Sequence, residues 1–211
     1  DLITSNVLNS YPDTGSLYEK IANSFNLKKE QIYLSNGVTE SMKNIFEHFT
    51  QHGDKVVYPN PTFPMYDIYN KIYNLHGIKI NYNGLSFNYK KLINEIDETK
   101  KIIFIPNPNL PVEYYYDLDE INYIVDKCSK KNVLCVIDEA YSYFGNRSAI
   151  KLINRYNNLL VMQSFSKAYG LAGLRIGVTF GNANVISYLK KSMSIVDINS
   201  VAMVIAKYFL D

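Results

Sequence analysis

The sequence predicts an α/β protein with three layers, in which helices cover both faces of a mostly parallel β-sheet. Three observations support this fold class. Helical and extended patterns alternate along almost all of the 211 residues. The segments between successive strands are long enough for the crossover helices that parallel strands need. Several strands are apolar throughout, as expected when helices cover both faces of a sheet.

The helices are predicted from apolar residues that recur three and four positions apart and therefore lie on one helix face. In the first helix, Leu17, Ile21 and Phe25 form such a stripe. The third begins at Pro64, and proline is favoured in the first turn of a helix. The predicted helices span residues 16–25, 37–49, 64–75, 89–96, 118–131, 183–191 and 200–210.

Short apolar segments between these helices predict the strands. They span residues 32–34, 55–58, 78–82, 101–105, 133–137, 159–162 and 175–180. Cys128 precedes one of these strands and Cys135 lies inside it, without Cys-x-x-Cys spacing. We therefore expect two reduced, buried cysteines and no metal site, as in a cytoplasmic protein.

Charge and hydropathy exclude some classes of function. The 22 basic and 20 acidic residues give a net charge of +2, so no electrostatic basis for nucleic-acid binding exists. No apolar run reaches the length of about 18 residues that a membrane-spanning helix needs, so we expect no membrane span. The chain starts at Asp1 and has no signal-peptide layout, so we expect a piece of a longer protein.

In sheets of this kind, ligands bind beyond the carboxyl ends of the strands, and the loops there carry unusual sequences. The first is the turn at residues 35–40, which leads into a helix. Gly37 permits a tight turn, and the free N–H groups at the start of the helix can bind an anion. The alternative is an ordinary helix capped by Ser35 or Asn36.

The second unusual loop begins with the acidic pair Asp138 and Glu139, at the end of an apolar strand. Buried carboxylates are unfavourable unless they are paired. A magnesium site of the NTPase kind would also need a Gly-x-x-x-x-Gly-Lys-[Ser/Thr] loop, which the sequence lacks. A structural helix cap and an acid that faces a cationic heterocycle remain as explanations.

The third loop follows another strand and has Ser164 and Ser166 on either side of Lys167, with Arg175 eight residues further on. Hydroxyl groups and a guanidinium suit a phosphate, here beside an amine. A surface loop with a solvated lysine is the alternative. The fourth loop, at residues 106–111, alternates proline and asparagine, which indicates either a stiff turn that offers amide groups or a plain turn.

Together these loops fit pyridoxal 5'-phosphate, which needs a lysine for a Schiff base, an acid at its ring nitrogen and an anion site. The sequence resembles the fold-type-I, pyridoxal-phosphate-dependent aminotransferases of class I/II, and among them the histidinol-phosphate aminotransferase branch. The resemblance extends from residue 11 to about residue 199. It rests on segments 35–37, 61–63, 107–109, 138–141 and 164–175.

The resemblance implies three catalytic residues. Lys167 would carry the cofactor and move the proton at the substrate Cα, Asp138 would contact the ring nitrogen, and Tyr141 would bind the phenolic oxygen of the ring. Groups at the phosphate would come from Gly37, Val38, Thr39, Ser164, Ser166 and Arg175.

Further roles follow from the same resemblance. Phe63 would stack on the ring, and Asn109 would bind its phenolic oxygen, with Asn107 as the fallback. Tyr11 would reach the phosphate of a neighbouring subunit, which implies a homodimer. For Phe63 and Tyr11, plain packing remains the alternative. No metal is implied.

The resemblance also implies an organisation and an activity. Residues 1–181 would form the cofactor-binding large domain without its N-terminal segment. Residues 182–211 would form a helical region that leads toward an absent small domain. The expected reaction is transamination between an amino acid and a small carbonyl compound, phosphorylated or not. Decarboxylation of a phosphorylated amino acid such as threonine phosphate, and a non-catalytic remnant, are the alternatives. Leu110, Val112 and Glu113 depart from the family pattern.

Overall fold

The computed structural model describes residues 2–144, 148–193 and 198–210. Within these ranges a single seven-stranded sheet has the order β1-β7-β6-β5-β4-β2-β3. Its strands are β1 (Ile32–Ser35), β2 (Lys55–Asn60), β3 (His76–Asn81), β4 (Lys100–Pro106), β5 (Leu134–Asp138), β6 (Leu159–Ser164) and β7 (Gly177–Gly181). Each of the seven predicted strands is therefore confirmed, with shifted ends.

The sheet is mostly parallel, as predicted. Strands β3, β2, β4, β5 and β6 run in one direction, and only β7 is antiparallel to its neighbours, β6 and β1. The connection from β6 to β7 contains a 3₁₀ turn, Ala172–Leu174, and no crossover helix. β7 returns beside β6 in the opposite direction, and an antiparallel pairing needs no crossover helix.

The helices lie before, between and after the strands. They are α1 (Ser5–Asn9), α2 (Gly15–Phe25), α3 (Val38–Phe49), α4 (Met65–Ile72), α5 (Tyr89–Asn94), α6 (Leu118–Lys130), α7 (Ala183–Leu189) and α8 (Ser200–Phe209). The seven predicted helices are confirmed. The sequence patterns did not predict α1, whose five residues include no buried side chain. No helix of the described ranges is long and apolar enough to cross a membrane.

Two apolar clusters on opposite faces of the sheet establish the three layers. In β5, Cys135 and Ile137 belong to one cluster and Val136 belongs to the other, as the alternation of side chains along a strand requires. The cluster that contains Cys135 also includes Cys128, and both thiols are buried and free.

Helices α7 and α8, which belong to the predicted 182–211 region, pack onto this same sheet. Ile186 and Leu189 of α7 lie in the cluster with α3, whereas Ala202 and Met203 of α8 lie in the opposite cluster with α2. The predicted division at residues 181 and 182 remains a prediction. Residues 194–197 and 211 of that region lie outside the described residues.

The antiparallel strand β7 makes a close contact with the turn that precedes α3. Gly177, its first residue, pairs with Ser164 of β6 on one side and with Ser35 of β1 on the other. A Cβ atom at Gly177 would lie 2.5 Å from the carbonyl carbon of Gly37 and 2.6 Å from the amide nitrogen of Val38. The turn lies directly on the β7 backbone, and only glycine leaves room for it.

We predict that Gly177→Ala lowers the free energy of unfolding by about 1–3 kcal/mol, because the added methyl group must displace backbone atoms. Urea denaturation of both proteins measures this difference. Gly173→Ala is the matched control, since no atom lies within 4 Å of a Cβ at that position. Equal unfolding free energies for the two variants would contradict the close contact.

Candidate active site

A cavity of about 520 Å³ lies at the carboxyl edge of the sheet. The last residues of three adjacent parallel strands line it: Pro106 of β4, Asp138 of β5 and Ser164 of β6. Pro106 pairs with Asp138, so β4 and β5 end level, whereas β6 continues two residues beyond Met162, the partner of Asp138. The cavity therefore lies where the sheet topology places ligands in open α/β folds.

The cavity brings together most of the residues that the sequence singled out. Its lining includes Val38, Thr39, Phe63, Asn109, Asp138, Tyr141, Ser164, Ser166, Lys167 and Arg175. Gly37 is next to the lining residue Val38 without lining the cavity itself. Tyr11 lies apart from the cavity with 88% of its surface exposed, so it does not pack within its own chain.

One end of the cavity is formed by the start of α3. Gly37 occupies the N-cap position with a left-handed φ of 81°, and no side chain caps the helix. Ser35 instead donates a hydrogen bond to the Gly37 carbonyl oxygen at 3.0 Å and lies 2.6 Å from the Ser41 hydroxyl. The explanation by a Ser35 or Asn36 cap is therefore wrong. The first N–H groups of α3, at Val38 and Thr39, point along the helix axis and are available to an anion.

The guanidinium of Arg175 lies beside this helix start. Its Nη1 donates to the Ser166 hydroxyl at 3.4 Å and to the Ala172 carbonyl oxygen at 3.2 Å. A Cβ atom at Gly37 would collide with Nη2 of Arg175 and lie 3.1 Å from its Cζ. The absence of a side chain at Gly37 thus admits the guanidinium, whose positive charge adds to the positive potential that the start of α3 offers to an anion.

The observed strand β7 begins two residues after the start of the predicted strand 175–180. Arg175 adopts a left-handed conformation with φ of 55°, which turns the chain before β7 starts at Gly177. Ser164 shapes the other side of the loop, because its Oγ accepts a hydrogen bond from the Ser166 backbone N–H at 3.0 Å.

Lys167 extends from this loop toward Tyr141. Its Nζ lies 5.0 Å from the centroid of the Tyr141 ring, which is within the range of a cation–π contact. In the part of the chain that the structure describes, Lys167 forms no salt bridge. The amine therefore borders the cavity without a carboxylate partner.

The acidic pair is divided between two environments. Asp138 lines the cavity and is 8% exposed. Its Oδ1 accepts a hydrogen bond from the Ala140 N–H at 3.1 Å, and its Oδ2 accepts one from the Tyr66 hydroxyl at 3.0 Å. Burial raises the pKa of Asp138, and these two donors act in the opposite direction. A cationic group in the cavity would favour the ionised form.

Glu139 turns away from the cavity and is fully buried. Its carboxylate accepts hydrogen bonds from the Ser148 hydroxyl and the Ala149 N–H, both at 2.6 Å, and from Gln163 Nε2 at 2.8 Å. Burial raises the pKa of Glu139, and the three donors oppose that shift. Glu139 therefore anchors the loop after β5 to β6 and to the 3₁₀ turn that begins at Ala149.

The two asparagines of the turn after β4 lie in different surroundings. Asn107 is fully buried and exchanges hydrogen bonds with the backbone of Tyr116, at 3.0 and 3.3 Å, so it is not at the cavity. Asn109 lines the cavity. Its Oδ1 accepts from the Thr62 hydroxyl at 2.6 Å, and its Nδ2 donates to the Pro61 carbonyl oxygen at 2.9 Å and the Tyr82 hydroxyl at 2.8 Å.

Thr62 and Tyr82 thus orient Asn109, and sequence reasoning missed both roles. Thr62 lies in a segment that carried the family resemblance, but Tyr82 is 27 residues from Asn109 and no spacing relates them. Of the residues that depart from the family pattern, Leu110 lines the cavity. Glu113 takes a left-handed φ of 56° and lies outside the lining, as does Val112.

Phe63 forms part of the cavity wall. It is 43% exposed and contacts the buried Tyr66 ring edge-on, with ring centroids 6.4 Å apart. A ring so exposed at a cavity is available to stack on a ligand. Its predicted role at the cofactor ring remains a prediction.

Comparison with known proteins identifies the family and agrees with the fold. The sequence family of class I and II aminotransferases matches residues 2–208, and the chain belongs to this family. The histidinol-phosphate aminotransferase of Caldanaerobacter subterraneus subsp. tengcongensis is 33% identical over 98% of the chain and 59% of that protein. The enzyme of the same name from Brachyspira hyodysenteriae is 38% identical over 90% of the chain and 53% of that protein.

Solved structures share the fold. Histidinol-phosphate aminotransferase from Sinorhizobium meliloti, in complex with pyridoxal-5'-phosphate, superposes with a TM-score of 0.89 at 20% identity, over 98% of this chain and 60% of that one. L-threonine-O-3-phosphate decarboxylase from Porphyromonas gingivalis superposes with a TM-score of 0.84 at 25% identity, over 97% of this chain and 64% of that one. The chain therefore spans between about half and two thirds of the length of these relatives.

We predict that Glu139→Gln lowers the free energy of unfolding by about 1–3 kcal/mol. The new side-chain NH₂ group would face one of the buried donors that now bind the Glu139 carboxylate, and that donor would lose its acceptor. Guanidinium denaturation measures the change. Glu98→Gln is the control, because Glu98 is exposed and its contact with Lys131 is at the surface. An unfolding free energy equal to that of Glu98→Gln would contradict the anchoring role of Glu139.

Proposed function

We propose that the chain is the cofactor-binding part of a pyridoxal-phosphate-dependent aminotransferase. One observation carries the proposal: a single cavity contains the Lys167 amine, the buried Asp138 carboxylate and a helix terminus with Arg175. Those are the three groups that pyridoxal 5'-phosphate requires. Family membership and the relatives named histidinol-phosphate aminotransferase support the same reaction type.

The residues present fit the cofactor. The cavity's cationic end has two N–H groups of α3, the Ser166 hydroxyl and the Arg175 guanidinium, and a Cβ atom at Gly37 would fill this cradle. A phosphate group is the anion that such a set binds well. The cofactor also needs an anionic partner for its pyridinium nitrogen, and Asp138 can serve as that partner. Tyr141 and Asn109 also line the cavity, where they can meet the ring oxygen.

When bound, the cofactor supplies an electron sink for negative charge that develops at the substrate Cα. The Lys167 amine would hold the cofactor in place and, once released, would accept the Cα proton on Nζ and deliver it to the cofactor carbon that keeps the amino group, not back to Cα. Asp138 keeps the proton on the ring nitrogen through its negative charge. Tyr141 lies against Lys167 and limits where Nζ can move. Phe63 covers one wall and excludes water.

The proposed partners follow from the relatives. The substrates are an amino donor and a small keto or aldehyde acceptor, and the relatives' name makes a phosphorylated substrate the first to test. A homodimer is part of the proposal, because the exposed Tyr11 is available to a neighbouring subunit. A cytoplasmic location is proposed as well, since Cys128 and Cys135 are free thiols.

We predict that the chain, supplied with pyridoxal 5'-phosphate, transfers the amino group of histidinol phosphate to a 2-oxo acid. Chromatographic detection of the new amino acid measures the reaction. Lys167→Ala should lower the rate about 10²–10⁴-fold, because it removes the group that moves the Cα proton. Lys151→Ala, at an exposed lysine of a 3₁₀ turn, is the control and should leave the rate unchanged. Release of CO₂ from a phosphorylated amino acid without amino transfer would contradict the proposal.

A further inference from the structure

Tyr66 is a buried residue behind the cavity wall, where it contacts the lining residues Asp138 and Phe63. It is the second residue of α4, has no exposed surface and does not line the cavity. Its hydroxyl donates to Asp138 Oδ2 at 3.0 Å. Among the described residues, it is the one side chain that donates a hydrogen bond to this carboxylate.

Aromatic neighbours hold the Tyr66 ring in position. Its centroid lies 4.9 Å from that of Phe104 on β4, 5.7 Å from that of Tyr58 on β2 and 6.4 Å from that of Phe63. Close packing of this kind leaves few alternative rotamers for a buried ring. The hydroxyl is therefore fixed in its place beside Asp138.

The direction of this hydrogen bond is also fixed. Burial raises the pKa of Tyr66 well above its usual value, so the phenol stays protonated and donates to the carboxylate. Asp138 depends on such donors, because its own burial favours the neutral acid. The second donor, the Ala140 N–H, belongs to the backbone and contacts the other oxygen of the carboxylate.

We propose that Tyr66 is a positioning residue, which keeps Asp138 ionised and aimed into the cavity for the cationic ring nitrogen of the cofactor. This inference rests on the proposed function. The Tyr66 hydroxyl acts through Asp138, so the contribution of this hydrogen bond should appear only with a ligand that has a ring nitrogen.

The test compares Tyr66→Phe with the unchanged chain in two binding titrations, both followed by fluorescence. One ligand is pyridoxal 5'-phosphate, and the other is its deaza analogue, in which carbon replaces the ring nitrogen. For the natural cofactor we expect Kd to rise about tenfold, as expected for loss of one hydrogen bond to a charged group. For the analogue we expect Kd to change less than twofold, because Asp138 then has no cation to meet.

Tyr116→Phe is the matched control. Tyr116 is also buried, and in the described part of the chain its hydroxyl has no hydrogen-bond partner. This variant should leave both dissociation constants unchanged. Asp138→Asn supplies a second comparison, because in that background the additional change Tyr66→Phe should alter Kd for pyridoxal 5'-phosphate less than twofold.

Two results would overturn the inference while leaving the proposed function intact. Equal weakening of both ligands by Tyr66→Phe would mean that Tyr66 only supports the shape of the cavity. No weakening of either ligand would mean that Asp138 is positioned without Tyr66. If the unchanged chain bound neither ligand, the proposed function would fall, and this inference with it.

Discussion

The pairing of β7 with two strands at once is the constraint on which the candidate site depends. Because β7 runs antiparallel between β6 and β1, Gly177 lies beside both Ser164 and Ser35, the last residues of those strands. The turn before α3 and the loop that carries Lys167 are distant in sequence, yet this single row of residues places them together. The anion-binding end of the cavity is a consequence of that row.

The second feature of the site is the difference in how its two buried carboxylates are hydrogen-bonded. Asp138 ends β5 and Glu139 directly follows it, and neighbouring side chains of an extended backbone point to opposite sides. Glu139 is surrounded by three donors and serves the structure, whereas Asp138 has two donors and borders the cavity. The carboxylate with fewer internal partners is the one left to stabilise a cationic ligand, since a buried charge without full compensation favours an opposite charge.

Much of the fold could be predicted from the sequence, because apolar periodicity determines helices and strands locally. The strand at 133–137 and the helix at 118–131 were recognised within a residue or two of their observed ends. Other features depend on contacts between distant residues. The antiparallel direction of β7 depends on its pairing with both β6 and β1, and its start at Gly177 follows the left-handed backbone of Arg175.

The candidate site was predictable where a motif encoded it and not where packing created it. Lys167, Asp138 and Arg175 could be found from short segments, and the cavity contains all three. The roles of Tyr66 and Tyr82 could not be found, because each acts through a hydrogen bond to a residue 72 or 27 positions away. Such partners become visible only when the sheet brings the strand ends together.

The most direct test of the account is to map where pyridoxal 5'-phosphate attaches to the chain. The chain is incubated with the cofactor, reduced with borohydride, digested and analysed by mass spectrometry. The account predicts a yellow protein whose absorbance shifts on reduction and whose reduced cofactor is attached to Lys167. Attachment at another lysine, persisting in Lys167→Ala at the same yield, would contradict it.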